Sequence, residues 1–450
     1  MTDTIVALAT PNSESALSVI RLSGELCKSL AKESCAVPSP TPRHAYFTKY
    51  ISLNNEVLDQ IVIVFFEQPK SFTGEDTLEI TCHGNPIIIK EIISDLILRG
   101  CRMATPGEFS YKAFNNGKID LTQAEAIAEL IGAKNKHAIS LASKNLEGKL
   151  SEKINLIQAT LLEQQSRIEA FIDFPEDDLG EDQTDKIIIK LQSIASELED
   201  LMCIAKKIDA FNRTLKVSLV GPPNAGKSSL FNKIIGSDRA LVDKSEGTTR
   251  DYINQMVNLG SITINLHDTA GLRDTISTVE KKGIDKTKEL VESSDLILLV
   301  LDSSSPYPSE IESEIRNLDE KNTILVLNKS DLTKKISLNN SSVQKLGRIT
   351  TSVRNVESIQ LLNDKIELLL AEKNDINNEF SLFVNARQSN AIYHSKSSVE
   401  KSINHLKMNQ SIEFAVSDLK DSIDFLGEIV GRKDNEDMLD TLFSTFCIGK

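Results

Sequence analysis

Residues Gly221-Pro-Pro-Asn-Ala-Gly226-Lys227-Ser228 match the spacing GxxxxGK[ST]. Glycines at those places let successive backbone N–H groups curl around phosphate oxygens, Lys227 can neutralise them, and the Ser228 hydroxyl can ligate Mg²⁺. The context fits, with strand-like KVSLV before the loop and helix-compatible SLFNKIIG after it. Asn224, Ala225, Gly226, Lys227, Ser228 and Ser229 are therefore candidate nucleotide contacts. Asp268-Thr269-Ala270-Gly271 follows SITINLH, which puts a carboxylate near the magnesium shell and a glycine where a γ-phosphate would be sensed. Asn328-Lys329-Ser330-Asp331 follows ILVL, and Asp331 can accept two hydrogen bonds from guanine N1 and the exocyclic amine. Adenine presents the wrong donors, so the base expected is guanine.

Gly247-Thr248-Thr249-Arg250-Asp251 lies between these motifs, where a mobile switch is expected, and Thr249 can offer a second hydroxyl to Mg²⁺. The residues leading into it, Asp243, Lys244, Ser245 and Glu246, extend the candidate nucleotide contacts. Ser352-Val353-Arg354 has the position of a loop that closes over the guanine O6. The water-orienting group is less obvious. Many GTPases use a glutamine directly after the switch glycine, but position 272 is Leu. Glu280 is a candidate because a carboxylate can align water directly or through a second water, and Asp274 and Arg273 compete with it.

Three kinds of segment must position these groups. The first 120 residues alternate short strand-like runs, Thr4 to Ala9, Leu17 to Leu22, Gln60 to Phe66 and Thr77 to Cys82, with turns. In DTLEITC, Leu78, Ile80 and Cys82 share one face while Glu79 and Thr81 share the other. Asn85-Pro86 opens a helix, with Asn85 as cap and Pro86 where a missing N–H costs nothing. From Thr122, with the capping-box spacing to Glu125, a helical seam runs through Ile127, Leu130, Leu141, Leu150, Ile154, Ile157 and Leu161. It is too long for one ordinary helix, and Gly132 and Gly148 are where it would bend or break. Another helical stretch covers Lys186 to about Asn212. Strands alternate with helices from Leu215, in the manner of a mostly parallel sheet, and helix returns after about residue 372.

The fold class expected is thus multidomain: an α+β N-terminal domain at 1–120, a discontinuous α-helical domain at 121–213 and 374–450, and an inserted α/β P-loop domain at 214–373. The chain has 450 residues, ample for several cores, and its composition is that of a globular protein, 40% apolar and 26% charged. Its net charge of −14 argues against a chain-wide basic surface for nucleic acid. Cys27, Cys35, Cys82, Cys101, Cys203 and Cys447 form no CxxC pair, which points away from disulfides and structural zinc. A β-like pattern without a basic leader, and apolar runs far shorter than the roughly 20 residues that span a bilayer, lead to the expectation of a cytoplasmic chain with no membrane partner.

The stretches DTIVALATP, VIRLSG, SFTGEDTLEITCHG, PGEFSYKAFNNGKIDLTQAEAIAELI, IDFPEDDL, GPPNAGKSSLFN, EGTTRD, DTAGLRD and FCIGK together resemble the tRNA-modification GTPases of the TrmE (also called MnmE) family. The resemblance covers nearly the whole chain. It implies an N-terminal domain similar to folate-binding one-carbon enzymes, a homodimer made through that domain, and a heterotetramer or larger complex with an FAD-dependent partner, FAD being held only by the partner. It implies installation of an aminomethyl or carboxymethylaminomethyl group at carbon 5 of the wobble uridine of certain tRNAs. It further implies that K⁺ takes the place of an arginine finger, with Asn224, Asp243, Ser245 and Thr248 as its ligands. Ser228 and Thr249 become the Mg²⁺ ligands and Glu280 the catalytic acidic residue. Arg21, Glu79, Lys118 and Lys450 map onto a site for 5-formyltetrahydrofolate or a related folate, and Cys447 in FCIGK is a candidate reactive thiol beside the transferred carbon. In chemical terms, cations suit the folate carboxylates and an acid suits the pterin amino group.

Some residues depart from the family pattern: Asn12 to Ser15 after ATP, Asn85 after CHG, Lys112 for the usual Arg, and Asp243 and Glu246 in DKSEGTTRD. Besides the tRNA-modifying GTPase, two readings stand open: a regulatory ribosome- or RNA-associated G protein acting as a binding switch, and a one-carbon transferase that merely carries a G domain. The folate-like N-terminal segment and FCIGK favour the first over the second. The third leaves the switch loops without a purpose.

Overall fold

The computed structural model describes residues 3–133, 136–173, 181–212, 215–236, 254–260, 262–268, 293–308, 312, 318–338, 342–373, 382–408, 412–432, 436–446 and 448–449. The architecture is α+β, then helical, then α/β, then helical again, as the pattern of periodicities requires. The chain forms two compact units. The first comprises Met1–Gly132, Ala142–Cys203 and Leu382–Lys450, and the second Ala133–Leu141 and Ile204–Ser381.

In the first unit, β1 (Ile5–Leu8), β2 (Ser15–Ser23), β3 (Ala45–Ile51), β4 (Val57–Phe66), β5 (Thr77–Gly84) and β6 (Arg102–Met103) form a sheet in the order β3-β4-β5-β2-β1-β6. All pairs are antiparallel except β1 with β6. Leu78, Ile80 and Cys82 are buried and Glu79 and Thr81 half-buried, as the period-2 pattern predicts. The buried face packs with α1 (Cys27–Glu33) and α2 (Pro86–Leu98) around Ile20, Leu22, Ile63, Phe65 and Ile92. Ile5 and Ala7 point the other way, onto Ala104 and Phe109 of α3 (Glu108–Asn115). The Asn85 side chain accepts from Ile87 N–H at 2.9 Å and Pro86 takes the first turn, so one departure from the family pattern serves as a helix cap.

The long helical seam is divided into α4 (Leu121–Gly132), α5 (Lys136–Leu146) and α6 (Lys149–Asp173), with Gly148 between the last two, and α7 spans Glu181–Asn212. The capping box expected from Thr122 and Glu125 does not form. Since the helix already starts at Leu121, Asp120 caps it, accepting from Gln123 N–H at 2.9 Å while its own N–H donates to Gln123 Oε1 at 3.0 Å. Thr122 instead donates to Asp120 at 2.7 Å and Glu125 turns inward.

The second unit carries β7 (Leu215–Val220), α8 (Lys227–Ile235), β8 (Asn254–Leu259), β9 (Ile262–Asp268), β10 (Leu296–Asp302), β11 (Thr323–Asn328), β12 (Gly347–Thr350) and α9 (Val356–Lys373). Among the described residues its sheet runs β12-β11-β10-β7-β9-β8, parallel apart from the antiparallel edge strand β8. The central strands β10 and β11 read as continuous apolar runs because both faces are covered. The chain then returns through α10 (Ala386–Lys407), α11 (Ile412–Val430) and α12 (Glu436–Ser444) to the first unit. There Arg387 donates to both carboxylate oxygens of Glu125 at 2.7 and 2.8 Å.

Candidate functional site

The phosphate loop joins the C-terminal end of β7 to α8, the end of a parallel strand where open α/β sheets bind ligands. Gly221 has φ 147°, and a Cβ there would lie 2.2 Å from the Val300 carbonyl oxygen of the neighbouring strand. Gly226 has φ 88°, and its Cβ would lie 2.4 Å from Asn328 Nδ2. Only glycine lets the loop pass this close to its walls. Lys227 is 7% exposed and its ammonium donates to the Gly221 and Pro222 carbonyls at 2.9 and 2.8 Å, so the cation stands over the loop it is to serve. Asn224, Ser228 and Ser229 are exposed around it, and Ala225 is buried.

The Asn328–Asp331 segment, the candidate for base recognition, is tied directly to that loop. Asn328 Nδ2 donates to Ala225 O at 3.0 Å, and Lys329 Nζ donates to Asn224 O at 2.9 Å and to Asp302 Oδ2 at 2.7 Å. Asp331 Oδ1 accepts from the Ser352 hydroxyl at 2.7 Å, and Arg354 stands 3.5 Å from its other oxygen. The Ser352 bond, aided by the Arg354 charge against the cost of burial, holds the Asp331 carboxyl below its usual range. An ionised, oriented acceptor is what guanine recognition needs. Asp268 closes β9 in a buried position, and Val353 is half-buried between Ser352 and Arg354. Thus the structure brings Asn224, Ala225, Gly226, Lys227, Asn328, Lys329, Asp331, Ser352 and Arg354 together. Asp243, Lys244, Ser245, Glu246, Gly247, Thr248, Thr249, Thr269, Ala270, Gly271, Arg273, Asp274 and Glu280 lie outside the described residues, as do Cys447 and Lys450.

A second polar site lies on the sheet face opposite α1 and α2. Arg21 and Glu79 are register partners on β2 and β5, which places their side chains on one face, and they bond at 2.9 Å through Nε and 2.8 Å through Nη2. Arg21 Nη1 also donates to Gly449 O at 3.2 Å, and its guanidinium lies 6.0 Å from the centre of the Phe109 ring. Gly449 thereby docks at Arg21. Lys118 reaches a different partner, the Pro69 carbonyl, at 2.7 Å. Lys112, another departure from the family pattern, bonds both Glu75 oxygens at 2.9 Å.

The donor chemistry fits the groups the resemblance implies. Ser228 and Asn224 are exposed oxygen donors on the glycine-shaped loop, suited to hard cations such as Mg²⁺ and K⁺. Arg21 and Glu79, each about a quarter exposed, present a cation and an acid of the kinds a folate would use, while Phe109 is fully buried and offers no ring surface to a ligand.

Residues 121–447 match the family described as the MnmE helical domain, and residues 4–118 match the GTP-binding protein TrmE N-terminus. The tRNA modification GTPase MnmE of Opitutus terrae is 38% identical over 448 residues, covering 100% of this chain and 99% of that protein. The chain belongs to the MnmE family. The proteins of the same name from Thermotoga maritima and Aquifex aeolicus are 37% and 36% identical, each alignment covering 100% of both chains. The solved G domain of the T. maritima FeoB iron transporter is 28% identical across 35% of this chain and 99% of its own, with a TM-score of 0.27.

In this MnmE-family chain, the motifs did not point to Asp302, Phe109 or Gly449. Asp302 carries a usable signal, since it ends the apolar run LILLVLD just as Asn328 ends TILVLN, and the two are register partners. Phe109 carries none, because nothing local ties it to Arg21; Gly449 was not singled out, although it lies in FCIGK, whose Lys450 the resemblance places at the same site as Arg21. Among the described residues, no helix is long and apolar enough to cross a membrane, and no cluster of His, Cys, Asp and Glu could hold a metal ion. The described cysteines, Cys27, Cys35, Cys82, Cys101 and Cys203, are free thiols.

Proposed function

We propose that this chain is a potassium-activated GTP hydrolase that works with an FAD-dependent partner to modify carbon 5 of the wobble uridine of certain tRNAs, using a folate one-carbon unit. The chain is a GTP hydrolase with a role in tRNA modification, and the finer chemistry is our reading. The observation that carries it is the Asp331 carboxylate, held by Ser352 at 2.7 Å on a segment whose Asn328 and Lys329 grip the phosphate loop. That arrangement couples recognition of guanine to the loop that surrounds its phosphates.

In this reading Lys227 leaves the loop carbonyls for phosphate oxygens, and the N–H groups of residues 224 to 229 orient the phosphates. Ser228 and Thr249 would hold Mg²⁺, and Asn224, Asp243, Ser245 and Thr248 would hold K⁺. The two cations supply positive charge at the phosphates, where no arginine finger is evident in the sequence. Glu280 orients the attacking water in place of the glutamine that Leu272 replaces. Thr269, Ala270 and Gly271 sense the γ-phosphate, and Ser352, Val353 and Arg354 close over the base. Arg21, Glu79, Lys118 and Lys450 would hold the folate, with Cys447 beside its transferable carbon. The segment boundaries are those given above, 1–120, 121–213, 214–373 and 374–450, with the homodimer formed through the first of them.

The test is wobble-uridine modification by the purified chain and its FAD-dependent partner, with GTP, folate or K⁺ withheld in turn. Each omission should abolish or strongly reduce modification. Normal modification without GTP would overturn the coupling, normal modification without folate would overturn the one-carbon source, and equal hydrolysis in Na⁺ and K⁺ would overturn the cation's part.

A further inference from the structure

Asp302 divides its carboxylate between two tasks. Oδ1 accepts from the Ser304 N–H at 2.8 Å and the Ser304 hydroxyl at 2.6 Å, which fixes the carboxylate plane. Oδ2 accepts from Lys329 Nζ at 2.7 Å, and the same ammonium donates to the Asn224 carbonyl at 2.9 Å. One cation therefore bridges the end of β10 and the middle of the phosphate loop. Burial works to raise the Asp302 pKa, but the Lys329 and Ser304 hydrogen bonds outweigh it and bring it down to about 2, so the anchor is ionised under any ordinary condition. The Asp302 side chain is 15% exposed and that of Lys329 33%, which shields the pair in part from solvent.

The residue gripped at the other end has an uncommon backbone conformation. Asn224 has φ 61° and Lys329 has φ 59°, in the left-handed region, which asparagine enters more readily than most L residues but less freely than glycine. The neighbouring handle, Asn328 on Ala225 O, is a short amide only 1% exposed and needs no guide. Lys329 has a flexible four-carbon stem, and without a fixed anion its ammonium has no reason to remain at Asn224 O.

We propose that Asp302 is a positioning residue for the phosphate loop: by fixing the Lys329 ammonium on the Asn224 carbonyl, it holds Asn224 in its left-handed conformation and sets the path of the loop around the nucleotide. The effect passes through Lys329 and needs no contact between Asp302 and the nucleotide. This rests on the reading that the loop holds a guanine nucleotide.

A double-mutant cycle on the full chain tests it, with the dissociation constant of N-methylanthraniloyl-GDP measured for wild type, Asp302→Ala, Asn224→Gly and the double variant. Asp302→Ala should weaken binding by about tenfold, the scale of one lost charge-assisted hydrogen bond. Glycine adopts positive φ without help, so in the Asn224→Gly background the same change should cost about threefold or less. An Asp302→Ala effect of equal size in both backgrounds would show a merely structural residue and overturn the inference, as would unchanged affinity of Asp302→Ala alone. Should Asp302→Ala not fold, isosteric Asp302→Asn takes its place in the cycle under the same criterion. Failure of the wild-type chain to bind GDP would overturn the reading of the site itself, and the inference with it.

Discussion

Replacing Gly226 with alanine should damage the phosphate loop in two ways. At φ 88° the residue sits where an L side chain costs about 1–2 kcal/mol. The new Cβ would also stand 2.4 Å from Asn328 Nδ2, far inside van der Waals contact. Asn328 cannot retreat cheaply, because it is 1% exposed, donates to Ala225 O at 3.0 Å and accepts from the Thr351 hydroxyl at 3.4 Å. Giving up the Ala225 bond leaves a buried donor unsatisfied, at about 1–3 kcal/mol. The two penalties together come to about 2–5 kcal/mol, shared between the fold of the α/β unit and the arrangement of the loop N–H groups. Thermal unfolding with and without GDP identifies the α/β transition as the one that GDP raises, and a fluorescent-GDP titration gives the affinity. Gly226→Ala should lower that transition and weaken GDP binding by at least about tenfold. A transition at the wild-type temperature together with affinity within about twofold would refute the reasoning, since Asn328 would then not be the fixed wall described.

Arg387→Met should destabilise the helical part by about 3–5 kcal/mol in far-UV circular dichroism melts, because Glu125, 3% exposed, loses its bidentate partner. Adding Glu125→Gln should recover part of that loss, and no recovery would count against an uncompensated charge as the cause. Burial, then the neighbouring Glu125 charge, pushes the Glu129 carboxyl up to about 8 from 4.5. The folded chain thus holds a proton that the unfolded chain releases between those values. Stability should fall with rising pH across that window at about 1.4 kcal/mol per unit, a slope that Glu129→Gln, measured by urea denaturation from pH 5 to 9, should lack. Asp331→Asn should shift turnover from GTP toward xanthosine triphosphate: Asn Oδ1 can still accept from Ser352 while its amide donates to the base. An unchanged preference for GTP would remove Asp331 from base recognition.

Much of this molecule is written locally. The alternation of Leu78, Ile80 and Cys82, the Asn85-Pro86 helix start, the break at Gly148 and the spacing of Gly221, Gly226 and Lys227 all lie in stretches of a few residues, where backbone sterics and periodicity act directly. Local reading failed first at the Thr122–Glu125 capping box. Its spacing was right, but Asp120 and Gln123 offered the same reciprocal bonds two residues earlier, and Glu125 was drawn to Arg387 from a helix 262 residues away. Strand order, likewise, decided that Arg21 lies across from Glu79, and the path of the last helix decided that the Gly449 carbonyl meets Arg21, 428 residues on. Asp302 became a brace only because β10 and β11 pair in a register that sets it beside Asn328 and Lys329. The sequence by itself therefore determined which chemical groups the chain carries and the turns that shape its phosphate loop. Which charges neutralise one another was decided by the tertiary structure, because a side chain's partner depends on the packing of elements that no local run of residues encodes.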